Sequence, residues 1–198
     1  MGISAERFNQ GMTYAEYKAQ MTRNRERFDD TEAAVEVDPQ AVAALAKLQS
    51  PLNVLVIAED WCGDVISNVP ALGRLAEASG MLNVRIFLRD QNLDLMDQYL
   101  KEGKYRSIPV FAVFDQNFNE LGTMLERPDS VTTMMADGTA EIHAQHPEFG
   151  PVGTAADQMP EDVRVSYMAE RNALRDRLRP KINQAVIDAV VGIAAKAA

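Results

Sequence analysis

The sequence predicts an α/β fold, on three observations. Between residues 51 and 126, strand-like and helix-like segments alternate in the order β-α-β-α-β-β. The first strand-like segment, Val54 to Ala58, is apolar without interruption, as expected of a strand covered on both faces. The stretches on either side of this core carry helical spacing and helix-start signals.

Residues 1–50 read as a helical extension. Thr13-Tyr14-Ala15-Glu16 matches a capping box, in which hydroxyl and carboxylate satisfy reciprocal orphan N–H groups. Tyr14, Tyr17, Met21 and Phe28 then fall roughly on one face. Asp38-Pro39 starts a second helix, with Asp as N-cap and Pro at the first helical position. Val42, Leu45 and Leu48 form its apolar stripe, and Ser50-Pro51 stops it.

Within the core, a helix runs from about Cys62 to Ser79. It has Ile66, Val69, Leu72, Leu75 and Ala76 on one face and Gly80 as a left-handed stop. Asn83 to Leu88 reads as strand. Leu93 to Glu102 reads as helix, opened by Asp90 or Asn92 and closed by Gly103. Val110 to Phe114 and Leu121 to Leu125 read as strands joined by the turn cluster Asp115 to Asn119, the second an antiparallel partner. Residues 127–160, with Pro128, Pro147, Pro151, Pro160 and several glycines, read as an irregular excursion. Residues 161–198 read as helices packing on the core, the whole forming one compact domain. Acidic Glu161 and Asp162 lie at the start, and Arg175, Arg177 and Arg179 precede Pro180, which either ends or kinks the helix. Ile182, Val186 and Val190 supply a last apolar stripe, which serves either to cover the core or to pair two copies.

Composition narrows the function. The 198 residues are 46% hydrophobic and 25% charged, with a formal net charge of −9. That balance excludes a general nucleic-acid binder, which needs a basic face, and disfavours adsorption on anionic membranes. No apolar run approaches the roughly 20 residues that span a bilayer. The N-terminus lacks the charged and apolar regions of a secretory signal. The single cysteine cannot form an intramolecular disulfide, which fits a reducing compartment, most simply cytoplasm.

That cysteine, Cys62, stands in Trp61-Cys62-Gly63-Asp64 at a strand-to-helix turn. There the helix N-terminus offers free N–H donors and a positive dipole end, both of which favour thiolate. Val54–Ala58 with Trp61-Cys62-Gly63, then Pro70 in the following helix, Ile108-Pro109 opening the third strand, and the element order together resemble the thioredoxin superfamily over residues 51–126. The Glu59-Asp60-Trp61-Cys62-Gly63-Asp64 version is similar to a bacterial thioredoxin-like subgroup lacking the resolving cysteine. The resemblance implies a central mixed sheet flanked by helices, extended here at both termini. It also implies that Cys62 is a nucleophile and that Trp61 is an apolar flank beside the sulfur. Gly63 would allow close approach. Pro109, in cis, would turn Ile108 so that its backbone can pair with an extended substrate segment.

The sequence departs from that family at three positions. Val65 stands where the second cysteine of a dithiol enzyme belongs, so a mixed disulfide at Cys62 needs an external thiol to resolve it. Val56 stands where thioredoxin has a buried aspartate, and Asp64 where it has proline. Glu59, Asp60 and Asp64 oppose thiolate formation while the helix dipole favours it. Glu59 or Asp64 could replace the missing aspartate as proton acceptor, and Arg106 could offset the acidic cluster if its loop faces Cys62.

Three readings follow: a monothiol redox protein acting on a thiol or disulfide substrate, protein or low-molecular-weight; a non-catalytic module binding a peptide beside Trp61 and Pro109; and a thiol sensor. No cofactor is called for. His143 and His146 are three residues apart, but with no further histidine and irregular surroundings no metal site is expected.

Overall fold

A computed structural model describes residues 2–197. In chain order the main elements are α1 (Ala5–Phe8), α2 (Tyr14–Gln20), α3 (Arg25–Ala33), α4 (Pro39–Leu45), β1 (Leu52–Ala58), α5 (Gly63–Ser79), β2 (Leu82–Leu88), α6 (Leu93–Met96), β3 (Val110–Phe114), β4 (Glu120–Leu125), α7 (Asp129–Gln145) and α8 (Glu161–Ala194). The strands form one mixed sheet in the order β2-β1-β3-β4. β1 runs parallel to β2, with Val54 opposite Val84, and antiparallel to β3, with Leu55 opposite Ala112. β3 and β4 are antiparallel, and a register shift follows Val113. Val54 to Ala58 of β1 are fully buried, as their uninterrupted apolar run requires. The arrangement is the mixed α/β fold expected from the sequence.

Helices cover this sheet. α5 packs on β2 and against α3, α4 and α8; α8 also reaches α7, β3 and β4. Met12 pairs its N–H and C=O with Ile86 on the outer edge of β2, at 2.9 and 2.8 Å, so the N-terminal segment closes part of an otherwise open edge. On the opposite edge, the Lys196 ammonium donates to the Leu121 carbonyl at 2.9 Å.

Several local signals translate directly. Thr13 forms both halves of the capping box with Glu16, Asp38 caps α4 through the Gln40 N–H with Pro39 behind it, and Gly80 ends α5 at φ +62°. Ile182, Val186 and Val190 are buried along α8.

Other elements differ from the sequence expectation. Tyr14 to Phe28 is not one helical face, because the chain breaks after Gln20 and restarts at Arg25 with Asn24 at φ +53°. α4 stops at Leu45, before Ser50. α6 ends at Met96 and does not reach Glu102. Lys101 instead pairs with Tyr105 around a reversal at Glu102 and Gly103, both at positive φ. The largest difference is α7, seventeen helical residues inside the stretch expected to be irregular. Its prolines lie outside the helix: Pro128 is its N-cap and Pro147 opens the short 3-10 turn that follows. Gly138, within it, lets Leu174 of α8 approach closely. Pro180 neither ends α8 nor occupies its buried face. It and Asp176, whose carbonyl it leaves without an N–H partner, are both exposed, so water can serve that carbonyl.

Candidate functional site

β1 delivers the loop Glu59-Asp60-Trp61 to the start of α5. Both acidic residues of the loop are engaged in holding it. Glu59 is buried and one carboxylate oxygen accepts the Asp90 N–H at 2.9 Å. Burial pushes its carboxyl above the ordinary range, and the Asp90 N–H pulls in the other direction. The Asp60 carboxylate accepts the N–H groups of Thr22 and Arg23 at 2.7 and 2.9 Å, and its carbonyl accepts the Asn24 side-chain amide at 2.8 Å. This explains the break between α2 and α3: their connecting turn is wrapped on Asp60. Trp61 is 41% exposed, with the Arg89 guanidinium stacked 4.7 Å from its ring centre.

Cys62 is the N-cap of α5, in extended conformation. Its carbonyl accepts the Ile66 N–H, the first bond of the helix, at 3.1 Å. The thiol is half-buried and donates towards the Ile108 carbonyl, Sγ to O 3.6 Å. The Ile108–Pro109 peptide bond is cis and both residues are buried. Thus Trp61, Cys62, Gly63, Ile108 and Pro109 do come together, from one helix start and one loop. Burial pushes the thiol up, and the negative charge of Asp64 adds to this; the backbone N–H groups of Val65 and Asp64 and the Arg175 guanidinium pull it down.

Asp64 is not a free carboxylate. Its Oδ1 lies 2.8 Å from Arg127 Nη1 and 3.6 Å from Arg175 Nη2. Arg127 is placed there by Glu126, which takes φ +64°, donates its N–H to the Pro109 carbonyl at 2.7 Å and accepts the Asn68 side-chain amide at 2.8 Å. Arg106, which could offset the acidic cluster if its loop faced Cys62, does not do so. Its guanidinium is bidentate on Asp97, at 2.7 and 2.9 Å, on the surface. The cations that do so come from the loop before α7 and from α8, and no local signal in the sequence marks them. Tyr17, fully buried on α2, adds a hydroxyl without a hydrogen-bond partner, its pKa raised first by burial and then by Asp60, Glu59 and Cys62.

Among the described residues no cluster of histidine, cysteine, aspartate and glutamate could hold a metal ion. His143 sits buried at the end of α7, its Nδ1 2.8 Å from the Gly150 carbonyl. A cleft of about 630 Å³, whose lining does not include Cys62, is bordered by Tyr14, Lys18, Glu32, Arg74 and Arg85. No helix among the described residues is long and apolar enough to cross a membrane.

A thioredoxin family model matches residues 11–142. None of the curated proteins matches. Among solved structures, a protein of unknown function from Pseudomonas aeruginosa is 21% identical, with 99% of each chain covered and a TM-score of 0.66. An HIV epitope scaffold is 18% identical over 98% of each chain, with a TM-score of 0.63. The germline-specific thioredoxin Deadhead from Drosophila melanogaster is 27% identical over 50% of this chain and 87% of its own, with a TM-score of 0.33.

Proposed function

The chain belongs to the thioredoxin family, and from that membership we propose that it is a monothiol redox protein working through Cys62. The observation that carries the reading is the approach of the Cys62 sulfur to the Ile108 carbonyl, beside the cis Pro109 and the exposed Trp61. An extended segment laid against that loop would present its sulfur to Cys62.

The chemistry takes two exchanges. The Cys62 thiol gives its proton to solvent, and the thiolate attacks one sulfur of a substrate disulfide. That S–S bond breaks, a mixed disulfide forms at Cys62, and the departing thiolate takes up a proton. Val65 provides no second sulfur, so an external thiolate must attack the mixed disulfide and restore Cys62 as thiolate. Protein disulfides and low-molecular-weight disulfides both satisfy this scheme, with the reducing cytoplasm as its setting.

A second reading is a non-catalytic module that binds a peptide beside Trp61 and Pro109. It draws support from the burial that keeps the thiol protonated. Turnover of 2-hydroxyethyl disulfide with an added monothiol separates the two. Catalysis abolished by Cys62→Ser supports the redox protein. A Cys62 that forms no mixed disulfide and gives no turnover refutes it.

A further inference from the structure

We propose that Arg175, on α8, is the positioning residue of this site: its guanidinium is the counter-ion reserved for the anionic form of the Cys62 sulfur. The inference rests on the redox reading above.

The geometry is unusual for an arginine. Arg175 is only 8% exposed. Its guanidinium lies flat over Gly63, the residue after Cys62. A Cβ at position 63 would stand 3.0 Å from its Cζ and 3.1 and 3.2 Å from its two terminal nitrogens. Among the described residues it makes no hydrogen bond, and its Nε is buried without a partner. The carboxylate oxygen paired with it, Asp64 Oδ1, is 3.6 Å away and already holds Arg127 at 2.8 Å. A guanidinium Nε–H withdrawn from water and left unmatched is costly, and the charge it belongs to favours a nearby anion. A protonated thiol is a poor acceptor; a thiolate at the start of α5 is a good one.

The surrounding charges are these. Asp64 acts on the sulfur from α5 and the Tyr17 hydroxyl lies near it from α2, while Glu59 and Asp60 of the preceding loop act on that hydroxyl. Arg127 comes from the loop before α7, and Arg171 lies one turn before Arg175 on α8. The loop before β3 contributes the neutral Ile108 carbonyl. Arg171 donates to the Tyr167 hydroxyl at 3.1 Å, and Arg127 is engaged by Asp64 and Glu126. Arg175 alone of the three is without a hydrogen bond. In the cycle it holds the thiolate, is left without it in the mixed disulfide, and regains it when the external thiolate cleaves that bond. Gly63 suits the same arrangement, because a Cβ there would crowd the guanidinium at 3.0–3.2 Å.

The test is the rate of Cys62 alkylation by iodoacetamide across about pH 6 to about pH 10 in the full chain, for wild type, Arg175→Met and Arg175→Lys, each checked for cooperative thermal unfolding. The expected result is a profile displaced to higher pH in R175M, with alkylation near pH 7 slower by about tenfold, and a partial return in R175K. Should R175M not fold, Arg175→Gln, which removes the charge and keeps an amide donor, should displace the profile in the same direction. A wild-type profile that titrates and is unchanged in folded R175M or R175Q overturns the role of Arg175 and leaves the redox reading standing. A wild-type Cys62 that does not react at any pH overturns the redox reading itself, and this inference with it.

Discussion

The Cys62 thiol donates towards the Ile108 carbonyl across 3.6 Å, joining the start of α5 to the loop before β3. A donating thiol is a protonated one, and this contact, the burial of the sulfur and the charge of Asp64 all favour the proton staying on. The site is therefore held in balance between a helix start and the Arg175 guanidinium, which favour thiolate, and a carboxylate and a dry environment that oppose it.

Asp64 is where that balance is easiest to move. Asp64→Asn removes the nearby negative charge and leaves Arg127 and Arg175 without their shared carboxylate. The thiol should titrate at lower pH, and alkylation near neutrality should accelerate several-fold. Stability should fall by roughly 2 kcal/mol, less than for a fully buried pair because the carboxylate retains some solvent contact. Urea unfolding and the alkylation profile on the same preparation check both halves; a slower reaction would contradict the electrostatic account.

Glu59 gives a separate prediction for stability against pH. Its folded carboxyl is raised by burial above the ordinary 4.5, so in the window opening near that value the native state binds more protons than the unfolded chain. Its contribution thus becomes less favourable as pH rises through that window, opposite to a salt-bridged carboxylate. Glu59→Gln keeps an oxygen for the Asp90 N–H while removing the charge. It should be as stable as wild type at pH 4 and more stable at pH 7. Chemical denaturation at the two pH values measures the difference; a variant less stable at both would show that Glu59 is needed as an ion.

Much of this architecture can be read locally, and the exceptions share a cause. Cys62, Gly63 and Gly80 mark the ends of α5 because caps are properties of a few adjacent residues. α7 is hidden because its prolines fall at its borders, where they punctuate a helix, while their density in sequence suggests none. Arg106 could serve the acidic cluster only if its loop faced Cys62, but it pairs with nearby Asp97, whereas Arg127 and Arg175 reach Asp64 through the turn at Glu126 and the docking of α8. Composition and spacing carry no record of which cation a distant fold will bring to a carboxylate.

Gly138 tests the docking that places Arg175. In an exposed helix, Gly→Ala stabilises by roughly 1 kcal/mol. Here a Cβ would stand 2.4 Å from one methyl carbon of Leu174 and 2.8 Å from the other, the residue directly before Arg175. Gly138→Ala should therefore destabilise, by about 1–3 kcal/mol as an overpacked contact between α7 and α8. The readout is the thermal midpoint; an increase would mean that Leu174 swings away freely and that α7 does not fix α8.

Restoring the missing sulfur is the most direct test of where the first one sits. Val65 is fully buried on the first turn of α5, three residues after Cys62. Cys62 is the N-cap of α5 and Val65 lies on its first turn, so a cysteine at 65 would present a second thiol from the same turn. Under a mild oxidant, Val65→Cys should lose both free thiols without dimerising, as an intramolecular disulfide requires. It should then release a mixed disulfide at Cys62 by itself, so that turnover no longer rises with the concentration of added monothiol. Loss of the branched side chain should cost about 1 kcal/mol in the reduced form. Thiol titration and mass measurement after oxidation decide the point. Two thiols that stay free would mean that the sulfur does not face the first turn of α5, and the site as described would have to be rebuilt.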